Sequence, residues 1–202
     1  MNRRDILAAA AASAAAGFGI YSAGAAGKVP VLGLILPPAK RDVPEEGIAM
    51  YGKQLRFVVT GLGIERMTPD SFEAAQERIP AAAKQLADAG AQAIELMGTS
   101  LSFYKGEAYN RELRTIVTQA SGRPATTMSN GVIDGLKAVG SRRVAVATAY
   151  NDEVNARLRA FLLEHGIEPL VITGMGLEAM TDVDKVTQKQ LEDFVARVHA
   201  SA

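Results

Sequence analysis

Short apolar runs alternate with longer amphipathic segments along most of this 202-residue chain. The runs are flanked by glycine, proline or polar residues, which is the pattern of buried strands. They predict strands over residues 31–36, 55–60, 93–97, 124–128, 143–148 and 170–173. The segments between them have helical periodicity and predict helices over residues 68–89, 107–121, 129–140, 151–165 and 184–199. Short connections between alternating strands and helices predict an α/β fold, with parallel sheets covered by helices on both faces.

Prolines and glycines set the expected ends of these helices. Thr68-Pro69-Asp70 opens a helix, with proline at an early position and an acid in the first turn. Pro80 lies inside the same pattern and predicts a kink or a break, because proline removes a helical hydrogen bond. Gly90 ends that helix, and Ser129 is expected to cap the helix that follows the fourth strand.

Ligands of parallel α/β folds bind beyond the carboxyl ends of the strands. In this sequence the candidate loops are those at Pro37, Gly61, Gly98 and Tyr150. The last predicted element is a helix, and a parallel sheet normally calls for one more strand after it. The second sheet is therefore expected to be incomplete within these residues.

The first residues have the three parts of an export signal. Arg3-Arg4 precedes an uncharged, alanine-rich run that reaches Gly27, and Ala23-Gly24-Ala25 supplies a small-residue cleavage site. Paired arginines before a weakly hydrophobic run resemble the twin-arginine signal, so we expect cleavage after Ala25 and a periplasmic or secreted protein. The expected partner is the twin-arginine export machinery, and the only membrane contact is through this signal. The alternative is an N-terminal membrane anchor, which the length of the run allows but its alanine content disfavours.

Composition favours small-molecule chemistry. Lysine plus arginine equals aspartate plus glutamate at 22 each, so no basic field is available for nucleic acid. The sequence has no cysteine, which excludes disulfides, thiolate metal sites and a cysteine nucleophile or proton donor within these residues. His165 and His199 are far apart and show no metal-ligand spacing, so no metal site is expected.

Six short motifs, in order, resemble the arylmalonate decarboxylase family of the aspartate/glutamate racemase superfamily. They are LPPA (36–39), TGLG (60–63), MGTSLSFY (97–104), TTMS (126–129), ATAY (147–150) and EAM (178–180). The most specific is the third, where a Gly-Thr-Ser turn after a strand precedes an apolar, aromatic run. The resemblance implies two Rossmann-like half-domains, at 26–127 and 128–202, with the second incomplete. They would close over a small carboxylic-acid substrate, without metal or organic cofactor.

The same resemblance implies the chemistry of the site. Loss of CO₂ from a malonate leaves an enediolate, whose negative charge needs hydrogen-bond donors fixed in advance. By resemblance these catalytic donors are Thr99, Ser100 and Tyr150. The departing carboxylate would lie in an apolar pocket, where desolvation disfavours the charged ground state. The substrate-binding positions implied are Pro38, Ile64, Met67, Phe72, Gly98, Leu101, Leu177 and Met180.

The sequence also departs from the family. Gly98 occupies the first of two cysteine positions used by superfamily racemases, which is the decarboxylase pattern and disfavours racemisation. The decarboxylase keeps the second cysteine in a Ser-Cys-Gly-Gly turn, and the 202 residues contain no such turn. His165 and His199 are expected on solvent-facing helix positions and do not replace it. We therefore expect weak or absent turnover, and an open sheet edge with apolar surface that promotes association.

Other functions fit the same residues. One alternative is a maleate-isomerase-like or racemase-like enzyme, which Gly98 weakens. Another is a non-catalytic periplasmic carboxylate-binding protein, or an inactive fragment, that uses the same three donors. Thr99 and Ser100 could instead satisfy local backbone groups, Tyr150 could be an ordinary half-buried tyrosine, and the pocket residues could be plain core.

Overall fold

A four-stranded parallel sheet forms the centre of the first half of the protein. The computed structural model describes residues 29–39 and 42–202, so the predicted export signal lies outside the described residues. The strands are β1 (Val31–Leu36), β2 (Arg56–Gly61), β3 (Ala93–Leu96) and β4 (Ala125–Thr127), in the spatial order β2-β1-β3-β4. Every neighbouring pair is parallel, and the carboxyl ends of all four strands therefore lie at one edge.

Helices connect these strands. They are α1 (Glu45–Tyr51), α2 (Pro69–Gln76), α3 (Ile79–Asp88), α4 (Thr99–Phe103), α5 (Gly106–Ser121) and α6 (Met128–Ala138). Helix α3 packs on β1 and β2, and α5 packs on β3 and β4, while the two helices also pack against each other. The break that Pro80 predicts is confirmed: α2 ends at Gln76, two residues intervene, and α3 begins at Ile79 with Pro80 in its first turn.

The second half repeats part of this plan. Strand β5 (Arg143–Thr148) pairs in parallel with β6 (Glu168–Gly174) through helix α7 (Asp152–Glu164), and α8 (Met180–Val183) and α9 (Gln188–Ala200) follow. Helix α9 packs on β5 and β6 as α3 packs on β1 and β2. The predicted α/β architecture of two parallel-sheet halves is thus confirmed. The domain boundary after Thr127 stays a prediction.

One hydrophobic core joins the two halves. Its largest fully buried side chains include Phe72, Leu101 and Phe103 from the first half and Phe161 and Ile167 from the second. The ring centroids of Phe103 and Phe161 lie 6.2 Å apart across the junction. Because burial of a large apolar side chain contributes about 1.5–3 kcal/mol, this shared core fixes the halves to each other.

Two expectations about single side chains are wrong. Ser129 does not cap α6: the cap is Thr127, whose Oγ1 accepts a hydrogen bond from the Asn130 backbone N–H at 3.2 Å, while Ser129 is buried. His165 is not solvent-facing, since its side chain is only 15% exposed and its Nε2 lies 3.1 Å from Glu107 Oε2. A polar residue at the end of a helix therefore reaches back into the interface between the halves.

The far edge of β5 is open in the described part of the chain. Strand β5 has a partner only on its β6 side, so the further strand that the sequence calls for is not among the described residues. The exposed apolar side chains of the second half include Leu163, Leu191 and Val195. The association expected from this surface stays a prediction. Across the described residues, no helix is long and apolar enough to cross a membrane.

Glu95 gives the stability of the first sheet an expected dependence on pH. It lies in the middle of β3, in register with Leu34 of β1 and Thr126 of β4, and burial raises the pKa of its carboxyl above the ordinary value of 4.5. Below that value both the folded and unfolded chains are protonated here. As the pH rises above 4.5, the Glu95 carboxyl of the unfolded chain loses its proton first. The free energy of unfolding therefore falls, until the pH passes the raised pKa of Glu95 in the folded protein.

We therefore expect Glu95→Gln to raise the free energy of unfolding at pH 7, with the gain disappearing towards pH 4. Urea unfolding of both proteins across this pH range measures the effect. Glu112→Gln, at an exposed position of α5, is the matched control and should show no such trend. A gain in Glu95→Gln that is the same at every pH would contradict the electrostatic cause.

Candidate functional site

Two hydroxyl groups from opposite halves meet at the carboxyl ends of the strands. Thr99 is the first residue of α4, directly after β3 and Gly98, and Tyr150 follows β5. Thr99 Oγ1 and the Tyr150 hydroxyl lie 2.5 Å apart, and either oxygen can be the donor. The predicted donors therefore come together although 51 residues separate them along the chain. A ligand oxygen bound between the halves could accept hydrogen bonds from both hydroxyls.

Gly98 allows the chain to turn sharply into α4. Its φ of +102° lies in the region that glycine adopts without steric cost. A Cβ at this position would lie 3.0 Å from Pro37 Cγ, so a larger residue would also crowd the β1 loop. The Gly98 N–H points to Met128 Sδ at 3.4 Å. The turn is thus positioned by contacts on two neighbouring strands.

Two buried serines hold the backbone of this turn in place. Ser102 Oγ lies 3.2 Å from both the Gly98 and Thr99 carbonyl oxygens, and Ser129 Oγ donates to the Thr99 carbonyl at 3.0 Å. The two hydroxyl oxygens are 2.7 Å apart. The sequence did not predict either role. The one feature that could have indicated them is Ser102, three residues after Thr99, which is close enough to bond the backbone of the turn. The hydrogen bonds of Ser102 and Ser129 therefore fix the orientation of the peptide group that contains the Thr99 carbonyl.

We expect Ser129→Ala to destabilise the protein by about 1–3 kcal/mol, because the Thr99 carbonyl and the buried Ser102 hydroxyl each lose one hydrogen bond. Chemical denaturation followed by circular dichroism measures the change. The control is Ser141→Ala. The Ser141 hydroxyl makes only an exposed 3.4 Å contact with the Arg143 carbonyl, so this substitution should change stability by less than about 0.5 kcal/mol. Equal effects of the two substitutions would contradict the proposed tether.

Tyr150 is held by its backbone and its ring. Its N–H donates to Thr148 Oγ1 at 3.2 Å, and its carbonyl accepts from the Gly176 N–H at 3.2 Å. Asn155 bonds both Thr148 Oγ1 and the Tyr150 carbonyl through its side-chain amide. The ring stands edge-on to Phe103, with 5.8 Å between centroids. The Tyr150 hydroxyl is therefore held next to Thr99 by contacts that do not involve the hydroxyl oxygen.

Apolar side chains of both halves belong to the hydrophobic core against which Tyr150 packs. Those from the first half are buried, and Leu177 and Met180 from the second are partly buried against the same core. The first-half members are Ile64, Met67, Phe72 and Leu101. The loops that carry the two groups are joined by backbone hydrogen bonds from Met67 N–H to the Glu178 carbonyl at 2.7 Å and from Met180 N–H to the Glu65 carbonyl at 2.9 Å. The six predicted pocket residues thus belong to one core or pack against it, and their forming a pocket that contacts substrate stays a prediction.

The remaining two predicted residues flank this region. Pro38 is partly buried in the loop after β1, where a Cβ on Gly61 would lie only 2.2 Å from its carbonyl oxygen. Ser100 is buried in the first turn of α4, and its hydroxyl has no hydrogen-bond partner among the described residues. The first N–H groups of a helix also lack partners within the helix. Ser100 can therefore offer both a hydroxyl and a backbone N–H to a ligand.

A cavity of about 590 Å³ is lined by Leu177 and by residues of α9. Its lining also includes Met175, Asp182, Lys185, Val186, Gln190, Asp193, Phe194 and Arg197. None of Thr99, Ser100 and Tyr150 lines it, and among the predicted site residues only Leu177 does. In the described residues, no three His, Cys, Asp or Glu side chains are grouped as metal ligands.

Comparisons with known proteins bear on this site. The family model described as arylmalonate decarboxylase matches residues 32–202. Over 176 residues the chain is 44% identical to arylmalonate decarboxylase of Bordetella bronchiseptica, covering 86% of this chain and 72% of the relative. A crystal structure of a doubly substituted arylmalonate decarboxylase in a liganded form superposes with a TM-score of 0.82 at 41% identity, covering 86% and 73% of the two chains.

A more distant likeness concerns the fold alone. A Nocardia farcinica maleate cis-trans isomerase variant with a covalently bound succinylcysteine intermediate superposes with a TM-score of 0.79 at 17% identity. That match covers 84% of this chain and 73% of the isomerase. It supports the same arrangement of two parallel-sheet halves.

Proposed function

Because the chain belongs to the arylmalonate decarboxylase family, we propose that it removes CO₂ from malonates bearing a 2-aryl or 2-alkyl group. The observation that carries the proposal is the Thr99–Tyr150 hydroxyl pair, which joins the two halves where Tyr150 packs against the apolar core. A carboxylic acid with an apolar substituent matches both parts of that region.

The bond that breaks joins the malonate C2 to one carboxyl carbon, and CO₂ leaves. The bonding electron pair stays on C2 and is delocalised onto the remaining carboxylate as an enediolate. Thr99, Ser100 and Tyr150 would donate hydrogen bonds to its oxygens, where negative charge increases during the reaction. A donor fixed before the reaction stabilises such charge by about 3 kcal/mol, because no reorganisation is needed at the transition state.

The departing carboxylate would lie against the apolar wall formed by Ile64, Met67, Phe72, Leu101, Leu177 and Met180. A carboxylate in such surroundings loses hydration, whereas neutral CO₂ does not depend on it. The apolar side therefore favours the product of bond cleavage over the charged ground state. Pro38 and Gly98 would confine the substrate from the side of the first half.

Protonation of C2 completes the reaction. The 202 residues contain no cysteine, so within them no thiol can donate this proton, and we propose that water does. Loss of general-acid assistance typically costs about 10²–10⁴-fold, so turnover should be slow. Gly98, at the first of the two cysteine positions used by superfamily racemases, argues against a two-cysteine racemase or isomerase reaction.

The test is CO₂ release from phenylmalonate by the purified chain, measured at several concentrations of imidazole buffer at constant pH and ionic strength. We expect slow turnover that increases with the concentration of the buffer acid, as external general acid replaces the missing donor. Binding of phenylmalonate without any CO₂ release at high buffer concentration would refute the proposal and assign the chain a binding role. Thr99→Val, which lacks the hydroxyl, should abolish most of the turnover.

We also propose that the chain is exported by the twin-arginine machinery, on the grounds of Arg3-Arg4 and the alanine-rich run that follows. Fractionation of a bacterial host should recover protein beginning at Ala26 in the periplasm. Replacement of both arginines by lysine should retain it in the cytoplasm, and unchanged export would contradict this route.

A further inference from the structure

Backbone hydrogen bonds join the two halves at loops that carry predicted site residues. Arg66 and Ala179 form an antiparallel bridge, and the two backbone hydrogen bonds of Met67 and Met180 flank it. On one side this bridge carries the loop of Ile64 and Met67, and on the other the loop of Leu177 and Met180. Among the described residues, this bridge is where the main chains of the two loops that carry the apolar wall meet.

Glu178 precedes the bridge residue Ala179, and both of its carboxylate oxygens accept hydrogen bonds. Oε2 accepts a hydrogen bond from Arg66 Nη2 of the first half. Oε1 accepts one from Asn151 Nδ2 of the second half at 3.0 Å. Its own backbone carbonyl accepts the Met67 N–H. One residue thus connects three segments that come together only in the folded chain.

Asn151 gives this connection its relevance to the chemistry. It follows Tyr150 directly, and its Oδ1 caps α7 by accepting the Val154 N–H at 3.1 Å. The position of the Asn151 side chain is therefore set on one side by the helix and on the other by Glu178. A shift at Glu178 would be passed to Tyr150 through one peptide unit.

We propose that Glu178 is a positioning residue that couples closure of the apolar wall to the placement of the Tyr150 hydroxyl. The Arg66–Glu178 ion pair is partly exposed, at 58% and 38% of the two side chains, and such a pair alone contributes little. The coupling comes from the joint use of both carboxylate oxygens and the backbone bridge. Its effect on catalysis rests on the proposed decarboxylase function, whereas its effect on closure does not.

An exchange of the two hydrogen-bonding groups tests this coupling. Asn151→Asp keeps the oxygen that caps α7 but replaces the Nδ2 donor by a carboxylate that repels Glu178. Glu178→Gln supplies an amide that can donate in the reverse direction. The double variant therefore restores the hydrogen bond with its polarity reversed, while neither residue regains its original chemistry.

Two readouts separate closure from catalysis. Hydrogen exchange of the Met67 and Met180 amides reports on the bridge in the absence of substrate, and kcat and KM for phenylmalonate report on positioning. In Asn151→Asp we expect exchange of both amides to be about tenfold faster and kcat to be about tenfold lower, with KM changed much less. The double variant should restore both quantities.

The control is Glu168→Gln, which removes another exposed Arg–Glu pair, with Arg143, at the amino ends of β5 and β6. It should leave both readouts unchanged. Unaltered amide exchange in Asn151→Asp, or no recovery of kcat in the double variant, would overturn the proposal. If the parent protein shows no turnover, the proposed function fails, and the exchange data still decide whether Glu178 closes the wall.

Discussion

Replacement of Tyr150 by phenylalanine should lower kcat for phenylmalonate decarboxylation by about 10²–10³-fold, the usual cost of one oxyanion-stabilising donor. The substitution removes only the oxygen that lies 2.5 Å from Thr99 Oγ1. The ring should stay in place, because Phe103 packs against it and the backbone of Tyr150 is held from both sides. The loss would therefore report on charge stabilisation and not on a displaced side chain.

Tyr109→Phe is the matched control for this experiment. It also removes a partly buried tyrosine hydroxyl, which donates to Gln76 Oε1 at 3.1 Å, but Tyr109 lies on α5 with its ring against Tyr104. We expect it to cost about 1 kcal/mol of stability and to leave kcat unchanged. Equal kcat in Tyr150→Phe and the parent protein would remove Tyr150 from the mechanism.

A double variant extends the Tyr150 experiment. Thr99 and Tyr150 share a hydrogen bond, so removal of either hydroxyl already disturbs the other. Thr99→Val combined with Tyr150→Phe should therefore cost less than the product of the two single effects. Strictly multiplicative losses would indicate that the two hydroxyls act on the substrate independently.

The strands were the most predictable part of the fold. Residues 31–36 and 143–148 are strands over the full predicted ranges. A short apolar run that ends at a proline or a polar turn is too short for a buried helix and is therefore usually a buried strand. Helix α4 was not predicted. Its five residues, TSLSF, are too few to show a helical period, and they form a helix because the Gly98 turn and the buried serines hold them there.

The side chains of the site were predictable in type but not in contact. Family resemblance supplied Thr99, Ser100 and Tyr150, yet the 2.5 Å pairing of Thr99 with Tyr150 depends on how the two halves pack. Glu178 was only part of a matching motif, since its partner Arg66 is 112 residues away along the chain. His165 was misplaced for the same reason: its partner Glu107 belongs to the other half. Periodicity describes one element at a time and contains no information on such contacts.

The close approach of β6 to Tyr150 leads to the largest stability effect we expect. Gly174 is the last residue of β6, and a Cβ there would lie 1.9 Å from the Tyr150 carbonyl oxygen and 2.5 Å from Asn155 Nδ2. The carbonyl cannot move away without loss of its hydrogen bonds from Gly176 and Asn155. Gly174→Ala should therefore destabilise the protein by about 3 kcal/mol, the upper part of the range for overpacking.

The same substitution should lower kcat, because the displaced main chain belongs to Tyr150. Urea unfolding measures the stability, and kcat is then compared under conditions where the variant is fully folded. Gly131→Ala in α6 is the control: a Cβ there meets nothing within 4 Å, and alanine should stabilise the helix by about 0.5–1 kcal/mol without changing kcat. An unchanged unfolding midpoint in Gly174→Ala would mean that β6 can move away from Tyr150 at little cost, and the rigid placement of the phenol would then have to come from the Phe103 contact alone.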